Sequence, residues 1–192
     1  MTVSASDLRE QVYDLAREMY RLTEGDVWLE DLEVTLSVRD FTEPQIEAMK
    51  AAASPTCLQA FNRLSNSGAA NDPADALSQI LTHSLRDPVL KGAKTFELFG
   101  DGKLDSDDPD FVLTMLVQVR TMLREVVHNY PLLLQEDMPG NVQNILDGFA
   151  QDILPRLDNL VSDVSAQSPL DPNKIPPGGG WEHLHTLPPE AF

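Results

Sequence analysis

The chain has 192 residues, enough for one medium-sized domain with a core of its own. Asp and Glu number 31 and Lys and Arg 14, so the formal net charge at pH 7 is −17, which argues against a nucleic-acid binder or a protein that docks on an anionic membrane. Hydrophobic residues make up 42% of the chain, which argues against disorder along its whole length.

The N-terminal segment repeats apolar residues with the period of a helix. Its apolar stripe consists of Leu8, Val12, Leu15, Met19 and Leu22. Spacings of four and three residues predict an amphipathic helix that buries this stripe. Ser4 or Ser6 is the expected N-cap, and Gly25 is expected to end the helix.

Residues 32–38 have two interpretations. Apolar and polar residues alternate here, and this period of two predicts a short strand. The apolar members are Leu32, Val34, Leu36 and Val38. No second segment shows a comparable pattern, so such a strand would need a partner that the sequence does not reveal. We therefore favour a helix or an irregular segment. A helix would bury Trp28, Leu29, Leu32 and Leu36.

From residue 42 onward, helix starts are marked by a capping residue followed by proline. Ser, Thr and Asp side chains accept hydrogen bonds from the first amides of a helix, and a proline in the first turn costs no hydrogen bond. The pattern predicts five helix starts. They are Thr42 with Pro44, Ser54 with Pro55, Asp72 with Pro73, Asp87 with Pro88, and Asp108 with Pro109.

The helix that begins at Pro109 is apolar over more than half of its circumference. We therefore expect it to lie at the centre of the fold, where it has neighbours on several sides. A last helix is predicted from about Asn141 to Val164, with a kink at Pro155.

Together these elements predict an all-α fold, a single-domain bundle of about six or seven helices in residues 1–165. Residues 166–192 are rich in proline and glycine and lack a helical period, which predicts an extended C-terminal tail. Four apolar residues of this tail are predicted to dock on a protein partner or on the helical body. They are Trp181, Leu184, Leu187 and Phe192.

An acidic segment between two predicted helices resembles the calcium loop of EF-hand and dockerin modules. Residues 97–110 contain six acidic residues and one lysine, and Gly102 stands at the position of the tight turn. The ligand positions that match are Glu97, Asp101, Lys103, Asp105 and Asp108. The resemblance implies a calcium ion that holds two helices in register. The pattern is incomplete, because Phe99 occupies a ligand position, and the alternative is a solvated connector between the helices.

Two further groups of residues have metal-ligand chemistry. Glu125 and His128 have the Glu-x-x-His spacing of di-iron bundles, and the other match, Glu182 with His185, lies in the tail. The alternative for His128 is a place at a helix C-terminus, where its ring interacts with backbone carbonyls. His183 and His185 would share a metal with Glu182 or simply lie on the surface.

The single cysteine, Cys57, excludes an intramolecular disulfide. It lies in the first turn of a predicted helix, where the dipole would lower its pKa, or it is a buried and unreactive thiol. The first ten residues have no apolar core of a signal peptide, and the longest apolar stretch, Phe111–Val119, is too short to cross a bilayer. We expect a cytoplasmic protein, or one exported without a Sec signal peptide.

Three functions compete. The absence of local catalytic motifs, the apolar helices and the apolar tail residues predict a non-enzymatic acidic binding or adaptor protein with a protein partner. The charge favours, as an alternative, an acidic inhibitor or immunity-type protein that blocks a basic partner. A third hypothesis is a metalloprotein or enzyme that uses Glu125 and His128.

Overall fold

The computed structural model describes residues 3–25, 27–53, 55–104 and 108–176, except for the side chains of residues 55–56 and 83–88. These residues contain helices and no strand, so the all-α prediction is confirmed. The helices are α1 (Ala5–Leu22), α2 (Val27–Val38), α3 (Glu43–Ala52), α4 (Pro55–Ser67), α5 (Pro73–Gly100), α6 (Pro109–Leu134), α7 (Gly140–Gly148) and α8 (Leu154–Ser165). A 3-10 turn (Gln135–Asp137) follows α6, and a π-helical turn (Phe149–Ile153) joins α7 to α8.

Side-chain caps begin several helices where the sequence predicts them. The Ser4 hydroxyl accepts a hydrogen bond from the Asp7 amide (3.1 Å), and Thr42 forms a reciprocal capping box with Gln45. The Asp72 carboxylate accepts from the amide of Asp75 (2.8 Å) at the start of α5. These bonds satisfy amides that have no partner inside their own helix, which is why the chain enters a helix at these residues.

The strand interpretation of residues 32–38 is wrong, because these residues belong to α2. Trp28, Leu32 and Leu36 are buried and Leu29 is half-buried, as the helical interpretation predicts. The indole Nε1 of Trp28 donates to the carbonyl oxygen of Thr23 (3.2 Å), so this side chain is satisfied within the core. Burial of one face against α5 and α7 outweighs the strand propensity of the valines.

The predicted helix start at Asp87 and Pro88 is also wrong, because α5 runs without a break from Pro73 to Gly100. An interior proline costs about 3 kcal/mol in a helix. Apolar residues of α5 on both sides of it are fully buried. They are Leu77, Leu81, Val89, Ala93 and Phe96. At about 1.5–3 kcal/mol for each large apolar side chain, their burial exceeds the cost of the proline and keeps the helix continuous.

The last predicted helix is a continuous helical run with an irregular turn just before its proline. The amide of Leu154 donates to the carbonyl oxygen of Phe149, five residues back, which widens the helix by one residue per turn at this point. Pro155 then occupies the first turn of α8, where its missing N–H costs little. The predicted kink site is therefore a π-helical turn.

Helix α6 lies at the centre of the fold, as predicted. Fourteen of its 26 residues are buried, and it packs against α3, α4, α5 and α8. Helix α1 packs chiefly on α5, and Gly100 allows close approach there, since a Cβ on this residue would lie 2.6 Å from Cβ of Tyr13. The described helices include none long and apolar enough to cross a membrane.

After α8, residues 166–176 form turns without a helix. The Ser168 hydroxyl donates to the Asp110 carboxylate, which places this segment beside the start of α6. The predicted tail residues Trp181, Leu184, Leu187 and Phe192 lie outside the described residues. Their role in binding a partner stays a prediction.

Candidate functional site

The basic side chains of the protein are largely matched by acidic ones inside the same molecule. At least eight of the fourteen form ion pairs. They are Arg17, Arg21, Arg39, Lys50, Lys94, Arg120, Arg124 and Arg156. Two of them share one carboxylate, since Arg120 and Arg124 both donate to Oδ1 of Asp158 (3.2 and 2.8 Å). Pairing neutralises acidic and basic side chains alike, so the acidic surplus of the sequence, a net charge of −17, remains.

Helix α2 carries an apolar stripe on its solvent-facing side. Val27 is 66% exposed, Val34 66% and Val38 83%. Spacings of seven and four residues place the three side chains within about 40° of the helix circumference, along roughly 16 Å of its axis. We call these three residues the valine stripe. Leu170 is the only other large apolar side chain that is exposed among the described residues.

The stability of α2 does not account for the valine stripe. Valine is a weak helix former, because its branched Cβ loses rotamer freedom against the preceding turn. The inward face of α2 is already formed by Trp28, Leu32 and Leu36 on the opposite side. Alanine or a charged residue would therefore favour this helix more at the three exposed positions.

Acidic side chains border the valine stripe. Glu30, Asp31 and Glu33 are exposed, and α2 contains no basic residue. Asp31 lies on the side of the stripe that faces α7, where its Oδ2 accepts a hydrogen bond from Nδ2 of Asn141 (2.7 Å). The stripe therefore has Asp31 in the turn between its first two valines and further carboxylates on its other side.

The first basic residue after the stripe, Arg39, points into the protein. Its side chain is 8% exposed, and its Nη1 donates to the carbonyl oxygen of Leu134 and to Oδ2 of Asp137 (both 2.6 Å). Its guanidinium carbon also lies 5.1 Å from the ring centre of Phe41. Arg39 therefore caps the end of α6 and pairs with Asp137.

The segment proposed as a calcium loop begins as a standard helix C-terminus. The amide of Gly102 donates to the Phe99 carbonyl (3.1 Å) and the amide of Lys103 to the Leu98 carbonyl (2.9 Å), which is a Schellman motif. Gly102 has φ +73°, the left-handed conformation that this motif requires at that position. Asp101 is the C-cap residue, and both its side chain and that of Lys103 are exposed.

Two other predicted ligands already have partners in the fold. The Glu97 carboxylate accepts from the Tyr20 hydroxyl (3.0 Å) and pairs with Lys94 (3.5 Å). Burial and this hydrogen bond raise the pKa of Tyr20. Asp108 caps α6 by accepting from the Asp110 amide (3.0 Å).

Asp105 lies outside the described residues, so both interpretations of the segment, a calcium loop and a solvated connector, stay predictions. Among the residues that are described, no group of three or more His, Cys, Asp or Glu side chains is placed to hold a metal ion. The tail residues Glu182, His183 and His185 likewise lie outside the described part of the chain.

Glu125 and His128 lie on α6 near the ends of two neighbouring helices. The Nε2 of His128 is 2.8 Å from the carbonyl oxygen of Ala52, the last residue of α3. The ring therefore forms a hydrogen bond with the C-terminus of α3 and not with that of its own helix. Burial, and then the charge of Glu125, raise the pKa of the Cys57 thiol to about 11. This thiol is therefore protonated at neutral pH, the opposite of the activation by a helix dipole considered from the sequence.

An open groove of about 360 Å³ lies where α1 passes the end of α5. It is lined by Ser6, Arg9, Glu10, Tyr13, Gly100 and Asp101. One cation and two carboxylates line the groove, so its charge does not select one class of ligand.

Comparisons of the chain with protein-family models, with curated proteins and with solved structures found no match. Function is therefore inferred from the side chains themselves. The sequence predicted neither the valine stripe nor its acidic border, although the alternation of Leu32, Val34, Leu36 and Val38 was a visible sign of it.

Proposed function

We propose that this protein is a non-enzymatic acidic binding protein whose partner presents a basic surface. The observation that carries the proposal is the distribution of charge. At least eight basic side chains are used in ion pairs within the fold, in a chain with 31 acidic residues and a net charge of −17.

A surface of this kind affects association more than it affects folding. An excess of one sign of charge attracts an oppositely charged partner over about a Debye length, ~10 Å at 0.1 M salt, and raises the association rate. It also disfavours acidic partners and anionic membranes. We further propose that the protein works in the cytoplasm.

The test uses three synthetic peptides of equal length with the full-length protein. The lysine peptide is an amphipathic helix with leucines at spacings of three and four residues and lysines on its flanks. The scrambled peptide has the same composition without the stripe, and the glutamate peptide replaces each lysine by glutamate.

We expect both lysine-containing peptides to bind and the glutamate peptide not to bind, as measured by stopped-flow fluorescence and calorimetry. The association rate should fall at least about tenfold between roughly 0.02 and 0.2 M salt, because screening removes the long-range attraction. Failure of both lysine-containing peptides to bind, or a rate that does not depend on salt, would contradict the proposed function.

The adaptor and inhibitor forms of this proposal differ in the number of surfaces used. An adaptor needs a second contact, for which we propose the tail residues Trp181, Leu184, Leu187 and Phe192. The double variant Trp181→Ala/Phe192→Ala should then bind the lysine peptide normally and lose a second partner. An inhibitor of a basic protein would lose no function in this variant.

A further inference from the structure

We infer that the valine stripe of α2 docks an amphipathic helix of a partner protein, one whose apolar stripe is flanked by lysine and arginine. This inference rests on the proposed function and names the surface and the partner chemistry that serve it. The three valines lie on one side of α2 along about three helical turns, with Asp31 in the turn between Val27 and Val34, and no described part of the chain covers them.

The charges around the valine stripe indicate the chemistry of the partner that would cover it. Glu30 and Glu33 lie on one flank and Asp31 on the other, all of them exposed. Arg39, the basic residue next to the stripe, is turned inward onto Asp137 and Leu134. A partner helix with lysine or arginine beside its apolar residues would pair with both flanks while its apolar stripe covers the valines.

The same charges disfavour the two occupants that this chain could itself supply. In a two-fold pairing of α2 with a second copy, carboxylates would face carboxylates across the interface, which is repulsive. The tail, residues 177–192, contains no lysine or arginine, and its charged residues are Glu182 and Glu190. Neither a second copy nor the tail therefore supplies the basic residues that would pair with the carboxylates beside the valine stripe.

The main test is the triple variant Val27→Thr/Val34→Thr/Val38→Thr in the full-length protein. Threonine has nearly the shape and helix propensity of valine, so the change removes apolar surface while shape and charge stay the same. Leu170→Ser is the matched control, because it removes the one other exposed large apolar side chain that is described. Circular dichroism and thermal melting confirm that both variants fold.

We expect wild type to bind the lysine peptide at least about tenfold more tightly than the scrambled peptide. The threonine triple variant should lose this preference and bind both equally, while Leu170→Ser should keep it. The inference would be overturned if the triple variant still preferred the lysine peptide to the scrambled peptide, with a ratio of affinities within about twofold of the wild-type ratio.

A second pair of variants tests the acidic flanks. Glu30→Gln/Glu33→Gln should weaken binding of the lysine peptide and reduce its salt dependence. The control Glu10→Gln/Asp171→Asn changes the net charge by the same amount at exposed positions outside α2 and should have the smaller effect. Equal effects of the two double variants would overturn the docking site.

Failure of the inference is distinguishable from failure of the proposed function. Equal, salt-dependent binding of the lysine and scrambled peptides by wild type would overturn the valine stripe and leave the acidic binding function standing. A wild-type dimer that the triple variant converts to a monomer would assign the stripe to a second copy and overturn the inference. Tighter peptide binding by Trp181→Ala/Phe192→Ala would assign it to the tail and also overturn it.

Discussion

Helices α2 and α6 both carry valines and leucines on more than one face, yet only α6 buries them on several sides. Helix α6 lies among α3, α4, α5 and α8, so Val112, Val117 and Val119 are each at most 2% exposed. Helix α2 has its main contacts with α5 and α7 on one side, and Val34 is 66% exposed. The number of neighbours that the fold places around a helix, rather than the composition of the helix, decides whether an apolar face becomes core or surface.

The largest expected effect comes from making one chemical change in both helices. Val119→Ala removes two buried methyl groups from α6 and leaves a cavity, so we expect a loss of roughly 2–3 kcal/mol in the free energy of unfolding. Val34→Ala on α2 should cost nothing and gain up to about 0.5 kcal/mol through helix propensity. Urea denaturation of both variants measures the difference. Equal destabilisation would show that Val34 is buried in solution.

A smaller effect is expected where α1 and α5 touch. Gly100→Ala puts a Cβ 2.6 Å from Cβ of Tyr13, which has no rotamer freedom to withdraw, and we expect a loss of about 1–2 kcal/mol. Gly140→Ala is the control, since nothing beyond the adjoining residues and the backbone of its own helix lies within 4 Å of the added Cβ, and the substitution should be neutral or stabilising. Thermal melting compares the stability of the two variants. An unchanged melting temperature for Gly100→Ala would show that α1 and α5 lie further apart at this point.

The smallest effect is expected at the start of α6. Asp108 already caps this helix and Glu97 already bonds Tyr20, so we expect melting temperatures in calcium and in a chelator to agree within about 1 °C. Asp108→Ala should lower stability by about 1 kcal/mol in both conditions through loss of the cap. A melting temperature that rises in calcium for the wild type, but not for Asp101→Asn, would instead establish the calcium loop.

The resemblance of α2 to a strand has a simple origin. Its inward face carries Leu32 and Leu36, and its outward face carries Val34 and Val38, so the two sets interleave with a period of two. Local sequence cannot distinguish a strand with one apolar face from a helix with two apolar faces. Contact with α5 and α7, which lie far away in sequence, makes the choice.

The helix starts show where local capping residues predict the structure and where they do not. Thr42, Asp72 and Asp108 cap helices as predicted, because a cap bond joins residues two or three positions apart. The same signal at Asp87 and Pro88 was overridden by burial of α5 on both sides. Local hydrogen bonds are thus predictable until distant packing contributes more free energy than they do.

The candidate site was less predictable than the fold. The sequence directed attention to Glu97 and Asp108, which the fold uses in a side-chain hydrogen bond and a helix cap. It did not predict exposure of Val34, because exposure depends on what the rest of the chain covers. The partner contacts predicted for Trp181 and Phe192 lie outside the described residues.

The sequence by itself determined the all-α class, the central place of α6, most helix starts and the acidic surplus of the chain. Each of these follows from composition or from residues a few positions apart. Only the tertiary structure decided that α5 is continuous, that α2 is a helix, that Arg39 points inward and that the valine stripe faces solvent. Each of these outcomes depends on burial against segments distant in sequence, and burial is a property of the whole folded chain.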